Sequence, residues 1–384
     1  MDALEQLRLL SSQMHLEPAE DVDCPQIAQN RKDTVSVSYA CMPNGRRISL
    51  LKTLLSSACE RNCYYCPFRA GRDFRRATFK PDEMAKVFMT IHKAGIVEGL
   101  FLSSGVINGG IATQDQLIAT ADILRNKMDY RGYLHLKIMP GSDRDQVERS
   151  LQLADRVSIN LEAPNTQRLR LLAPRKQFLE ELLTPMRWAD EIRRTKPSYL
   201  SWKGYWPSIT TQFVVGAVGE SDLELLSTTE YLNRNVHLRR AYYSAFDPIP
   251  DTPLENQPAE NPLRQHRLYQ SSYLLRDYNF SVEELPFQPD GRLPLNIDPK
   301  LAWAKENLVD RPIEVNHADR RDLLRIPGIG PKSADAILTA RRQGQRMRLH
   351  DLQDLRRIGV NPNRAAPFIL VNGKRPAYQL MFNI

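Results

Sequence analysis

The segment Leu55-Ser-Ser-Ala-Cys59-Glu-Arg-Asn-Cys63-Tyr-Tyr-Cys66-Pro67-Phe-Arg69 places three thiols within eight residues, spaced C-x3-C-x2-C, directly after an apolar strand-like run at 48–55. On one loop, three thiolates can converge on a metal centre. Tetrahedral zinc usually takes a fourth protein ligand; the nearest histidine, His92, falls in a predicted helix, and Cys24 and Cys41 lie upstream in another segment. A [4Fe–4S] cluster held by three cysteines leaves one iron open, which makes a reaction site rather than an electron wire. A zinc knuckle stands as the alternative on spacing alone. The cysteine count is five, an odd number clustered in this way, which does not suit a secreted disulfide framework and points to a metal site in a reducing compartment.

Outward from this loop the chain alternates. Strand-like runs at 48–55, 100–105, 134–139, 157–161, 209–215 and 241–246 are separated by helical spacing at 81–94, 114–127, 143–154, 176–194, 223–235 and 263–278. Six such alternations predict parallel strands joined by right-handed crossovers. Six units are too few for a closed eight-stranded barrel, so the expected fold is α/β, a partial (βα)6 TIM-like barrel with its chemistry at the C-terminal strand ends. Residues 1–45 read as an N-terminal extension, a helical start followed by an irregular segment. The barrel is expected over 46–280, a Pro-rich connector over 281–310, and a small all-α domain over 311–384.

At 384 residues, with 42% hydrophobic and 26% charged residues, the chain has an ordinary globular balance. No apolar run approaches the roughly 20 residues that span a bilayer, and the start, MDALEQLRLL, lacks the basic-then-apolar order of a signal peptide. The expectation is a cytoplasmic protein without a membrane partner. Its net charge of +8 is unevenly spread: residues 311–384 hold 14 Lys and Arg against 6 Asp and Glu, and the rest of the chain is balanced at 39 of each. A basic module on a neutral body is the footprint of phosphate-backbone binding.

The pattern Cys59-x3-Cys63-x-Tyr65-Cys66 resembles the signature of the radical S-adenosylmethionine (SAM) superfamily, including the aromatic residue before the last cysteine. The resemblance implies that Cys59, Cys63 and Cys66 hold a [4Fe–4S] cluster whose open iron binds SAM, giving methionine and a 5′-deoxyadenosyl radical that abstracts hydrogen from a substrate. It also implies an electron donor such as flavodoxin or ferredoxin. Later strand ends are then expected to face the cofactor. Ser103-Ser104-Gly105 stands where the superfamily usually has a Gly-Gly-Glu-like turn, and the acid is absent here. Asn160 and Glu162 lie on one face of a strand and look like the ribose-contacting pair of biotin and lipoyl synthases. Gly216 sits in a stretch resembling the adenine-side motif. Cys24 and Cys41 are too few for an all-cysteine auxiliary cluster and read as buried small hydrophobes.

In the basic module, Asn316 is a cap candidate for a short helix, followed by the turn Pro327-Gly328-Ile329-Gly330 and a second helix over 331–342. Backbone N–H groups at such a helix start hold a phosphate. Lys332 and Ser333 stand beside the turn, and Arg341, Arg342, Arg346 and Arg348 are placed to reach neighbouring phosphates. The run is similar to the helix-hairpin-helix, a sequence-independent DNA-binding motif, with a degenerate second copy at 352–360. Together with the segment Pro43-Asn-Gly-Arg-Arg-Ile-Ser-Leu-Leu-Lys52, the combination resembles a bacterial family of DNA modification/repair radical SAM proteins, often encoded beside a uracil-DNA glycosylase-like protein. That resemblance implies an enzyme acting on a DNA base or sugar. A radical SAM enzyme of structured RNA and a non-catalytic DNA-binding iron–sulfur protein stay open as alternatives.

Overall fold

The computed structural model describes residues 2–12, 14, 37–41, 46–342 and 349–377. Cys24, the residues 42–45 ahead of the first parallel strand, and Arg346 and Arg348 lie outside the described residues. The chain divides into two compact units, one of Met1–Glu220 with Tyr231–Asn261, the other of Ser221–Glu230 with Pro262–Ile384.

The first unit begins with α1 (Ala3–Ser11), capped by the Asp2 carboxylate on the Leu4 amide, and β1 (Val37–Cys41). The alternation then follows: β2 (Arg47–Leu54), α2 (Pro81–Lys93), β3 (Gly99–Ser103), α3 (Gly109–Asp122), β4 (Tyr133–Lys137), α4 (Arg144–Leu153), β5 (Arg156–Ser158), α5 (Thr166–Leu172), α6 (Thr184–Thr195), β6 (Ser208–Val215), α7 (Asp222–Asn235), whose residues up to Glu230 count with the second unit, and β7 (Arg240–Ala245). The sheet runs in order β1 to β7. All six expected strands are present, and β2 to β7 pair in parallel. This curled, mostly parallel half-barrel with its helices fits the radical SAM fold. The seventh strand corrects the reading of the extension as irregular, since β1 pairs antiparallel with β2. Its backbone donors are satisfied by the exposed side of that strand, which a five-residue alternation by itself does not announce.

Strand parity positions the site. One face of the sheet carries Leu51, Leu100, Leu134, Leu136, Val157 and Ile209, all fully buried and suited to packing under helices. The other carries Lys52, His135, Lys137 and Ser158, also buried, and the buried Asn160 follows two residues past the end of β5. A two-residue period makes the first set greasy and the second polar.

The second unit contains α8 (Pro262–Asp277), α9 (Pro299–Asn307), β8 (Ile313–Glu314), α10 (Arg320–Arg325), α11 (Pro331–Arg342), α12 (Leu352–Arg357), α13 (Pro362–Ala365) and β9 (Ile369–Leu370). It takes in α8, ahead of the boundary near 280 read from the sequence. It is also not all-α: β8 and β9 form a short parallel ladder that ties the two ends of the hairpin region. Leu323, Leu324, Ile326, Ile329, Ala334 and Ile337 form its apolar centre, closed by Leu355, Val360 and Phe368. The Pro-rich stretch hides α9, because Pro299 occupies the first helical turn and Asp298 caps the Leu301 amide. Asn316 is not the cap of α10. It is buried, donating to the Leu349 carbonyl, and Asp319 caps the helix through the Asp322 amide.

Candidate active site

The cysteine loop is held by its own backbone and by arginine. Cys66 donates its amide to the Cys63 carbonyl at 3.2 Å, Gly105 to Ser56 at 2.7 Å and Glu60 to Val106 at 2.8 Å. Arg76 clamps the loop from below, its guanidinium donating to the carbonyls of Ser57, Phe68, Arg69 and Arg72. Gly105 is required by close approach: a Cβ there would lie 2.1 Å from the Ala58 carbonyl oxygen.

Cys59, Cys63, Tyr65, Cys66, Ser103, Ser104, Gly105, Asn160 and Glu162 line one pocket, so the structure brings together nine residues that the sequence singled out. Gly216 is not among them. Its positive φ serves a tight turn in which its amide donates to Glu220, and its α-carbon faces Glu260. Lys176, Lys137 and Arg61 also line the pocket and were not anticipated. For Lys137 the two-residue period of β4 was a usable signal. Lys176 opens the stretch read as a helix over 176–194, but it sits in the turn after α5, its amide donating to the Ala173 carbonyl.

Two backbone amides donate to sulfur, Val106 to Cys59 Sγ and Phe68 to Cys66 Sγ, each at 3.4 Å. Burial pushes the Cys63 thiol up to about 11 and raises Cys66 further above the usual thiol range, with neighbouring cysteines adding to it. Three thiolates crowded in a dry pocket repel each other, and a bound cationic centre reverses that balance. Among the described residues no group of three His, Cys, Asp or Glu side chains is arranged to hold a lone metal ion. Three thiols that line one pocket, two of them accepting backbone amides from Val106 and Phe68, fit a cluster held by three cysteines.

Beside the thiols runs a buried charged chain. Lys176 Nζ lies 2.9 Å from Glu162 Oε1, with 9% and 5% of the two side chains exposed. Tyr65 donates to the same carboxylate. Burial acts to raise the Glu162 carboxyl, but Lys176, Lys137 and these hydrogen bonds together hold it below the usual carboxylate range. Burial opposes the Lys176 ammonium, yet Cys63 and Glu162 raise it above the ordinary lysine value. Glu162 sits at φ +64°, bridged to Phe213 of β6, a conformation uncommon outside glycine and frequent at functional sites. Asn160 Nδ2 donates to Gln212 at 3.3 Å, which fixes its amide on the same inner face.

In the second unit, α10 and α11 are joined through Gly328 at φ +86°, and α12 and α13 through Gly359 at φ +82°. Each turn's glycine carbonyl is bound by the other pair: Asn361 donates to Gly328 at 3.1 Å and Ser333 Oγ to Gly359 at 2.8 Å. Pro327 and Ile329 are buried, Gly330 is half-buried, and Lys332 and Arg342 are exposed. Arg341 is turned inward, donating to the carbonyl of Ala318 at 2.5 Å, so it staples α11 to the entry of α10. Ser333 is likewise buried and engaged.

A half-barrel with three thiols on the loop after its first parallel strand defines an iron–sulfur enzyme that works on SAM. Residues 53–230 match the radical SAM superfamily; the chain carries a domain of that superfamily and is an enzyme of its class, with a [4Fe–4S] cluster and SAM as cofactors. No curated protein matches it in sequence. Among solved structures it is similar to the FeFe-hydrogenase maturase HydG from Carboxydothermus hydrogenoformans, at 17% identity over 59% of this chain and 51% of that one, TM-score 0.47. It is similar to methylornithine synthase (PylB) at 16% identity, over 59% and 61%, TM-score 0.47. A radical SAM methyltransferase from Sphaerobacter thermophilus matches at 15% identity over 62% and 70%, TM-score 0.44. The chain thus spans half to three-fifths of the length of the first two. No helix among the described residues is long and apolar enough to cross a membrane.

Proposed function

We propose that this radical SAM enzyme acts on DNA, modifying or repairing a base or sugar, and that the second unit binds the duplex through a helix-hairpin-helix. The observation that carries the reading is the pair of cross-bonded turns, Gly328 with Asn361 and Gly359 with Ser333, within the stretch that holds all the excess positive charge of the chain. Two short helical hairpins locked back to back present the N-terminal turn of α11 with exposed Lys332 beside it, an arrangement suited to a phosphate. Arg342 adds a second exposed cation, whereas Arg341 and Ser333 act inside the fold. Contacts of this kind position the protein without reading sequence.

In the barrel, Cys59, Cys63 and Cys66 would hold the cluster. Ser103, Ser104, Gly105, Asn160 and Glu162 would orient SAM. With both bound, the site supplies a 5′-deoxyadenosyl radical that removes a hydrogen atom from the substrate. The protein's own part is to bind, orient and exclude water. Tyr65 and Lys176 fix the Glu162 carboxylate in one position and one charge state, and the inner-face amides of Asn160 and Gln212 hold each other in register. A base in a duplex must leave its stack to enter such a pocket. A flavodoxin or ferredoxin is the proposed electron donor, and a uracil-DNA glycosylase-like protein a proposed partner. The test is anaerobic reconstitution and reduction, with 5′-deoxyadenosine assayed with and without duplex DNA. Stimulation by DNA over matched RNA supports the reading. Stimulation by RNA alone, or by neither, contradicts it.

A further inference from the structure

A lysine lies buried behind the hairpin turn. Lys300, on α9, is 9% exposed, and its Nζ donates to the Ile329 carbonyl at 2.6 Å. Its ammonium also lies 4.6 Å from the Tyr278 ring centroid. A cavity of about 330 Å³, lined by Tyr278, Asp298, Lys300, Gly328, Gly330 and Arg364 among others, reaches it. A peptide unit is planar and trans, so its C=O and N–H point to opposite sides. The unit that offers its Ile329 oxygen inward to Lys300 therefore turns its Gly330 N–H away from the lysine. A second, open hollow is bordered by Gly330, Lys332, Ser333, Arg276, Asp277 and Arg320. A cation on the carbonyl polarises the whole peptide and makes its N–H a stronger donor.

We propose that Lys300 is a positioning residue for phosphate binding: its ammonium grips the turn from within and holds the Gly330 N–H outward toward a DNA phosphate. The inference rests on the DNA-binding reading of the second unit and adds a residue that the motif does not contain.

The charges around Lys300 make the grip sensitive to pH. Asp298, which caps α9, favours the ammonium; Arg364 from α13 and Arg325 from α10 oppose it. Asp298 is shared, lying 3.6 Å from Arg364, and Arg325 is paired with Glu284 at 2.7 Å. Tyr278 adds a ring face and a phenol that stays neutral near pH 7, raised by burial. Burial dominates and lowers Lys300 to about 7. A phosphate on the far side of the peptide favours the protonated form, so binding takes up protons near neutrality and weakens as pH rises.

The test uses the full chain and a short fluorescein-labelled duplex, with affinity read by anisotropy at constant ionic strength. Between about pH 6 and about pH 8.5 the wild-type Kd is expected to rise about 5-fold. Lys300→Met is expected to bind at the weaker level at both pH values, with a thermal midpoint at the lower pH no lower than wild type, since a buried charge has been removed. A second readout needs no DNA. In 15N-glycine-labelled protein the Gly330 amide resonance is expected to shift with a midpoint near pH 7, and to stand still in Lys300→Met. Lys300→Met binding as tightly as wild type at about pH 6, or a Gly330 resonance that ignores pH, overturns the proposal while leaving DNA binding intact. Wild type that binds no duplex at any pH overturns the DNA reading itself, and this inference with it.

Discussion

Glu162 and Lys176 are the pair on which the chemistry of the pocket most depends at the scale of single residues. Breaking a buried ion pair from one side leaves an uncompensated charge. Glu162→Gln is therefore expected to lower stability by about 3 kcal/mol in urea unfolding, and to weaken SAM binding. The pH signs are opposite for the two partners. Glu162 is held below its ordinary value, so its contribution is complete above the unfolded carboxyl range and disappears as pH falls through the folded value. Lys176 is raised, so its contribution is complete below the ordinary lysine value and disappears only as pH climbs through the folded one. Across the neutral range the pair is intact, and SAM affinity should be flat there. Gly105→Ala is expected to deplete bound iron, because its Cβ would overlap the Ala58 carbonyl oxygen and push the cysteine loop aside; iron content per chain measures it. The cysteines and Tyr65 were legible because motif spacing is local. Asn160 and Glu162 reach the pocket although β5 ends at Ser158 and Glu162 sits at φ +64° beyond it, not on one strand face as read from the sequence. Lys176 was not legible, since only the turn after α5 brings it to Glu162.

The hairpins fail or hold as elements. Gly328→Ala meets both a φ of +86° and a backbone oxygen, Asn361 O, 2.6 Å from the new Cβ. It is expected to cost about 2 kcal/mol and to abolish duplex binding in anisotropy. Ser333→Ala removes one hydrogen bond to Gly359 and is expected to cost about 1 kcal/mol, with a smaller loss of affinity. Lys332→Ala touches no such contact, so it is expected to leave stability unchanged and to reduce the slope of log affinity against log salt by about 1. The α10–α11 pair was readable from Pro331 at a helix start and from glycines at the turn. The cap was misread: Asn316 and Asp319 are both cap-forming types, and burial against Leu349 decided between them. Strand β1 and helix α9 escaped for related reasons. A short edge strand needs its partner to be visible, and prolines that look like a connector also open helices.

At the scale of the whole molecule, the surplus positive charge lies in residues 311–384, within the second unit, and the rest of the chain is balanced. The six parallel strands were legible because buried strands and crossover helices leave different periods in the sequence. The membership of α8 in the second unit was not, because helical period says nothing about which core a helix serves. The central claim is that the radical chemistry of the first unit is directed at DNA held by the second. The most direct measurement is the yield of 5′-deoxyadenosine from the reduced, cluster-loaded protein, with duplex DNA, without it, and with Gly328→Ala in place of wild type. The account predicts nucleoside in all wild-type reactions, an increase on adding duplex, and no increase in Gly328→Ala, with Cys63→Ala giving none. A yield indifferent to DNA, or a DNA response that survives Gly328→Ala unchanged, would contradict it.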